Sequence, residues 1–359
     1  MPAKNTTRLV LAAESLDTAQ GRDALAQAAE VLRCRGTVAF PTETVYGLGA
    51  NALDGQAVEK IFIGKGRPAW DPLIVHVSDL AMLGRVAASV PDRARKLIDA
   101  FWPGPLTLLL PKRDAIPDIV TAGRALMGVR MPAHPVARAL IAATGVPLAA
   151  PSANRFGHTS PTTAQHVLDD LDGRIDLLLD GGPAWCGVES TVVEPGEESV
   201  VLYRPGAISI EQIETVCGPV KTYAKEENLK SSLMATSLPS PGVGIRHYAP
   251  KASLVPVEVA PGEEIQDHAK WLQAIQEHSS RGLRVGVMLP ASWPLPQAFP
   301  GLRFEWGEWE NDRELAQRLF AGLRALDAMG AELILCPLPS ERGLGAAIRD
   351  RLLKGARKE

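Results

Sequence analysis

The strongest constraint in this sequence is a rhythm. From about residue 8 to 212, short apolar, β-branched runs alternate with stretches of helical period. "TVAFP" (37–41), "LIVHV" (73–77), "LTLLLP" (106–111), "MGVRMP" (127–132), "VPLAAP" (146–151), "LLLD" (177–180), "STVVE" (190–194) and "VVLYRP" (200–205) are predicted strands. Helices are expected near 22–34, 55–63, 92–101, 134–144 and 161–171. The last of these should start at Ser160, since a proline such as Pro161 is well tolerated in a first helical turn. Such alternation builds an α/β fold, with helices packed on a twisted mixed sheet. Many runs stop at proline or glycine, so turns that can face a ligand should gather at strand ends.

The rhythm breaks at 213–250, a polar stretch rich in Ser, Pro and Gly with no period, which reads as a linker. Beyond it, strands at 254–259, 283–289, 302–306 and 332–336 and helices near 263–279, 312–329 and 344–356 form a second, smaller Rossmann-like α/β unit. Leu315, Leu319, Leu323 and Leu326 share one face of the 312–329 helix, with Asn311 and Glu314 as its start signal. No G-x-G-x-x-G turn follows the first strand, so nothing there asks for a dinucleotide. A chain of 359 residues fits two domains. We place them at 1–212 and 251–359, joined by the 213–250 segment.

Composition excludes some functions. The net charge is −3, the pI is 6.2 and aromatic residues make up only 5%, so there is no broad basic field and few stacking platforms. A stable nucleic-acid complex is not expected. No apolar run approaches the ~20 residues of a membrane span, and the N-terminus lacks a signal-peptide pattern, which predicts a cytoplasmic protein. Cys34, Cys186, Cys217 and Cys336 are scattered, without metal-ligand spacing, and read as reduced thiols.

There is no Walker A loop, no H-E-x-x-H and no G-x-S-x-G. The first domain instead carries hydroxyls and isolated arginines on its turns. "PTETVYGLG" (41–49) places Thr42 and Thr44 after a strand. "KGRPAWDPL" (65–73) supplies Lys65 and Arg67 on a stretch that barely holds a helix. Arg130 ends a strand, "SANRFGHTSPT" (152–162) gathers Ser152, Asn154 and Ser160, "GVESTVVE" offers Ser190, and "YRPG" offers Arg204. Singly, each reads as turn or capping chemistry, and His76 inside "LIVHV" as a core histidine. Together, hydroxyls and cations at the ends of apolar strands describe a polyphosphate site. None is a strong nucleophile, which points to an enzyme that aligns substrates and stabilises phosphoryl charge.

In this order and spacing, "PTETVYGLG", "KGRP", "PGPLT" (103–107), "RMP", "SAN…SPT", "STVV" and "RPG" resemble the YrdC family. The continuation through "SPGVGIRHYAP" (240–250) into a second α/β domain is similar to its two-domain branch, the threonylcarbamoyl-AMP synthases. The resemblance implies a reaction of L-threonine, bicarbonate and ATP that gives threonylcarbamoyl-adenylate and pyrophosphate, with Mg²⁺ held mainly on the phosphates. Downstream tRNA threonylcarbamoyl-transfer enzymes would be its functional partners. It also implies roles: Lys65 and Arg67 for bicarbonate and phosphate charge; Thr42, Thr44, His76, Arg130 and Ser190 around threonine; Arg67, Asp71, Ser152, Asn154, Ser160, Arg204, Arg246 and Tyr248 around ATP. The 213–250 segment, with His247 and Tyr248, is expected to act as a lid. Three features depart from the family pattern: Asp71 and Asp350, where an amide is expected, and "GVG" (242–244), which stands where bulkier residues are expected in the lid. An RNA-binding module without ATP chemistry is the alternative, and a carbamoyl transferase adenylating carbamoyl phosphate a second rival.

Overall fold

The computed structural model describes residues 6–223, 238, 240, 247–259 and 267–357. The chain divides into two compact units, the first comprising residues 1–156, 161–185 and 189–244, the second 157–160, 186–188 and 245–359.

The first unit is built on one mixed sheet. In chain order its strands are β1 (Thr7–Val10), β2 (Val38–Phe40), β3 (Gly47–Asn51), β4 (Ile74–His76), β5 (Leu106–Pro111), β6 (Leu126–Arg130), β7 (Leu148–Ala149), β8 (Leu177–Asp180), β9 (Thr191–Pro195), β10 (Val200–Arg204) and β11 (Val220–Thr222). They lie side by side as β1-β8-β2-β3-β7-β4-β6-β5-β9-β10-β11. Parallel pairs such as β4–β6 and β5–β9 mix with antiparallel ones such as β5–β6 and β9–β10. The expected strands all form, because runs such as LTLLLP (106–111) bury almost every side chain between layers. β3, inside the segment read as a turn, was not expected; it pairs with β2 on one side and β7 on the other.

Among the described residues the helices beside the sheet are α1 (Ala19–Arg33), α2 (Gly55–Lys65), α3 (Leu80–Val86), α4 (Asp92–Phe101), α5 (Asp118–Thr121), α6 (Pro135–Thr144), α7 (Ala164–Leu171) and α8 (Ile210–Cys217). α7 corrects an expectation. Its cap is Thr163, whose hydroxyl accepts from His166 N–H, and not Ser160. The Pro161 carbonyl instead accepts from Tyr46 N–H at 2.8 Å, which ties this stretch to the start of β3 rather than to a helix. α8 and β11 likewise run into the segment read as linker. The Ser209–Gln212 capping box starts α8 sharply. The remainder of that segment lies mostly outside the described residues.

The second unit has an all-parallel sheet of β12 (Ser253–Glu258), β13 (Val285–Pro290), β14 (Leu302–Gly307) and β15 (Leu333–Leu338), ordered β12-β15-β13-β14. Its helices are α9 (Asp267–Ser279), α10 (Asp312–Ala328) and α11 (Gly343–Gly355). Asn311 caps α10 by accepting from Glu314 N–H, and Leu315, Leu319, Leu323 and Leu326 are all buried as their spacing predicts. Each such leucine contributes about 1.5–3 kcal/mol of apolar burial. Trp271 and Trp306 are fully buried here too. Among the described residues, no helix is long and apolar enough to cross a membrane.

Candidate active site

The "KGRP" stretch is a helix terminus of defined geometry. Lys65 is the last residue of α2, and Gly66 turns left-handed (φ 64°) to end it. Gly66 N–H donates to Ile63 O, and Arg67 N–H to Phe62 O at 3.0 Å, the pair of bonds that closes a Schellman motif. A side chain at position 66 would strain that conformation. The motif throws Lys65 and Arg67 in different directions.

Lys65 Nζ donates to Ser152 O at 2.7 Å and to Asn154 O, while Lys65 O accepts from Phe156 N–H at 3.0 Å. The helix end is thereby fastened to the Ser152–Asn154 turn. That turn runs beside β3, with Ser152 bridged to Gly47. Burial, and Arg67 nearby, pull the Lys65 pKa well below its ordinary value; Asp71 and Asp170 oppose them. Arg67 turns the other way. Its Nε donates to Asp71 O at 3.1 Å, its Nη2 to Pro72 O at 2.7 Å, and Nη2 stands 3.0 Å from the buried Asp71 carboxylate. Asp71 thus pairs with the arginine four residues before it. Burial pushes its carboxyl up, against the pull of Arg67, Lys65 and Arg204. Lys65, Arg67, Asp71 and Arg204 therefore share one electrostatic neighbourhood.

A second cluster forms around Arg130. β4 and β6 lie parallel in a register that sets His76 beside Arg130. Arg130 Nε donates to Gly104 O at 3.1 Å and Nη1 to Thr44 Oγ1 at 3.0 Å. Thr42 Oγ1 and Thr44 Oγ1 are 2.8 Å apart, and Thr42 Oγ1 donates to Val45 O at 2.6 Å. A hydroxyl has one proton, so Thr44 must be the donor to Thr42. Proton donation then runs from Arg130 to Thr44 to Thr42 to the Val45 carbonyl. His76 is buried, its ring edge-on to Phe40 and its Nδ1 3.3 Å from Ile74 O. Burial first, and the Arg130 charge second, hold it neutral, with a pKa down to about 3.

The third group joins Ser190 and Arg204. Arg204 grips the Ser190 carbonyl with Nε at 3.2 Å and Nη2 at 2.9 Å, and its Nη2 reaches Ser190 Oγ at 3.2 Å. Thr107 Oγ1 lies 2.8 Å from Ser190 Oγ. "RPG" needs its glycine because a Cβ on Gly206 would fall 2.3 Å from Thr191 N and 2.4 Å from Glu189 O. The Gly104–Pro105 segment binds the second and third clusters together, for Gly104 O takes Arg130 and Pro105 O takes Thr191 N–H.

The structure therefore brings Thr42, Thr44, Lys65, Arg67, Asp71, His76, Arg130, Ser152, Asn154, Ser190 and Arg204 onto the first unit. Ser160, fully buried, belongs to a segment of the second unit. Tyr248 belongs there as well, at φ +66°, with the Arg351 guanidinium 5.0 Å above its ring and Phe320 at 5.9 Å. Arg351 Nη1 is in turn 2.6 Å from Asp350 Oδ2, which also takes Lys354 Nζ at 2.9 Å. Burial opposes the Asp350 charge, but Arg351 and Lys354 prevail and keep its carboxyl below the usual range. Arg246 lies outside the described residues.

Two residues of these clusters were missed in the sequence. Thr107 was quoted only as part of a motif. Glu43, 1% exposed, has a carboxylate oxygen 2.6 Å from Arg130 Nη2. Arg130, at a strand end with no other acid near it in sequence, was the signal that a countercharge was needed. Among the described residues, no group of three His, Cys, Asp or Glu side chains gathers as a metal site.

Comparison with known proteins points one way. Residues 30–206 match the family described as "Telomere recombination" (Sua5_yciO_yrdC), and residues 208–357 match "Threonylcarbamoyl-AMP synthase, C-terminal domain". The chain is 41% identical to a threonylcarbamoyl-AMP synthase of Pyrococcus abyssi, over 92% of this chain and 93% of that one. It is 44% identical to the Bacillus subtilis threonylcarbamoyl-AMP synthase, over 92% of both. The Schizosaccharomyces pombe protein of that name is 40% identical over 95% of this chain and 90% of its own. The crystal structure of P. abyssi Sua5 complexed with L-threonine superimposes with a TM-score of 0.87 at 38% identity, covering 98% of each chain.

Proposed function

The chain belongs to the threonylcarbamoyl-AMP synthase family, and from that premise we propose that it condenses L-threonine, bicarbonate and ATP into threonylcarbamoyl-AMP, with release of pyrophosphate and water. The observation that supports this reading most is the meeting of two unlike clusters on one unit. One holds Lys65, Arg67 and Arg204, cations suited to a polyphosphate. The other is centred on Arg130, whose guanidinium suits a small carboxylate. The P. abyssi relative crystallised with L-threonine, which supports threonine as the substrate here.

In this reading the residues align rather than attack. Threonine's amine adds to the carbon of bicarbonate, water leaves, and a carbamate oxygen then displaces pyrophosphate from the α-phosphorus. Arg130 takes the threonine carboxylate, with Thr42, Thr44, His76 and Ser190 around it. Lys65 and Arg67 steady bicarbonate and phosphate oxygens. On the first unit, Ser152, Asn154 and Arg204 serve the nucleotide, and Asp71 serves it through Arg67. No covalent enzyme intermediate is required, only alignment and charge neutralisation.

Mg²⁺, bound to ATP chiefly through the phosphates, supplies further neutralisation there. The Asp71 carboxylate is paired with Arg67, which suits an ion carried by its nucleotide. The product is a labile mixed anhydride, so downstream tRNA threonylcarbamoyl-transfer enzymes in the cytoplasm are its natural consumers. The RNA-binding alternative finds no support among relatives that are synthases.

The deciding experiment measures pyrophosphate release by the purified chain with ATP and Mg²⁺, omitting threonine or bicarbonate in turn. The reading requires release that depends on both. Release with neither would mean a plain nucleotide hydrolase.

A further inference from the structure

Glu43 is the buried acid of the Arg130 cluster. Its Oε1 stands 2.6 Å from Arg130 Nη2 as an ion pair, and among the described residues neither carboxylate oxygen has a hydrogen-bond partner. Arg130 has its remaining nitrogens on Gly104 O and Thr44 Oγ1. The other titratable neighbour, His134, turns its Nδ1 toward Val136 N–H at 3.2 Å, and burial lowers its pKa although Glu43 pulls the other way. A neutral His134 brings no positive charge to Glu43. A carboxylate oxygen left bare in a buried site costs about 1–3 kcal/mol or more, so a donor belongs beside it.

We propose that Glu43 recognises the α-ammonium group of the amino-acid substrate, next to the Arg130 that takes its α-carboxylate. The pair is then complementary to a zwitterion. In an α-amino acid the nitrogen and the carboxyl carbon are about 2.5 Å apart, by standard bond lengths and angles. Glu43 and Arg130 are themselves in contact, Oε1 to Nη2 at 2.6 Å, so an anion and a cation lie close enough together for the two ends of one such ligand. Arg130 alone would accept any small carboxylate. Glu43 makes the site selective, because an acid without an amine leaves a buried charge without its second partner. This rests on the synthase reading and adds a specificity-determining residue to it.

The test is isothermal titration of the full chain at neutral pH with two probes: L-threonine, and the hydroxy acid in which a hydroxyl replaces the α-ammonium. The wild type should bind threonine at least ~100-fold more tightly than the hydroxy acid. Glu43→Gln should weaken threonine about 30-fold or more while moving the hydroxy acid by no more than ~3-fold. Equal losses for both ligands would overturn the inference, since Glu43 would then merely prop Arg130. A wild-type preference under ~10-fold would overturn it too, and that result does not depend on whether the variant folds. Failure of the synthase reading looks different: the wild type would bind no threonine at all.

Discussion

Lys65 Nζ donates to the carbonyl of Ser152 across 2.7 Å, fastening the end of a helix to a turn 87 residues further along the chain. The same amine also donates to Asn154 O, so one side chain satisfies two carbonyls. Lys65→Met leaves both without it and should lower the unfolding free energy by about 2–4 kcal/mol in urea titration. Pyrophosphate release should fall at least ~100-fold in the same variant. A stability loss below ~1 kcal/mol would mean the strut carries no structural weight.

Arg67 and Asp71 form a nearly dry ion pair, with side-chain exposures of 6% and 0%. Removing one partner strands the other charge, so Asp71→Ala should cost about 3–5 kcal/mol. In the double variant Arg67→Met/Asp71→Leu no buried charge is stranded, and most of that stability should return while turnover stays lost. A double variant that is less stable than either single change would contradict this account of the pair.

His76 gives a pH signature. Its folded pKa, about 3, lies below the ordinary 6.5, so between those values the unfolded chain binds a proton that the folded chain refuses. Stability from this group is therefore complete above 6.5 and drains away as pH falls toward 3. Between pH 7 and about pH 4 the loss amounts to ~3 kcal/mol. His76→Leu should flatten the stability–pH curve by that amount in denaturant titrations. An unchanged curve would show that His76 titrates normally.

In the second unit, Arg351 is 1% exposed and is held between Asp350 and the Tyr248 ring. Arg351→Met should destabilise that unit by about 2–4 kcal/mol. Unfolding followed by tryptophan fluorescence reads this directly, since Trp271 and Trp306 are buried there. A change under ~0.5 kcal/mol would show the charge to be replaceable by packing.

How much of this was legible in the sequence depended on whether the signal was local. α4 and the strands β5 and β8 fall on the expected residues, because an apolar run or a helical period lies within the segment itself. β3 was not legible: Gly47, Gly49 and Ala50 carry no apolar period, and the strand exists because β2 and β7 flank it. Ser160 lost the helix cap to Thr163, since the Pro161 carbonyl is occupied by a strand three-dimensionally close but distant in sequence. The hydroxyls and arginines of the site were readable as residue types at strand ends. Glu43 was not, because an acid between two threonines looks like a solvated turn until Arg130 is folded against it.

The chain of donation from Arg130 through Thr44 to Thr42 has a polarity, and that polarity filters ligands. The Thr44 proton is committed to Thr42, and one of its lone pairs is occupied by the Arg130 guanidinium. What remains on that oxygen is a single lone pair, which can only receive. Any atom that comes to rest against Thr44 must bring its own hydrogen, so a hydroxyl or an ammonium is welcomed there and a bare oxyanion is turned away.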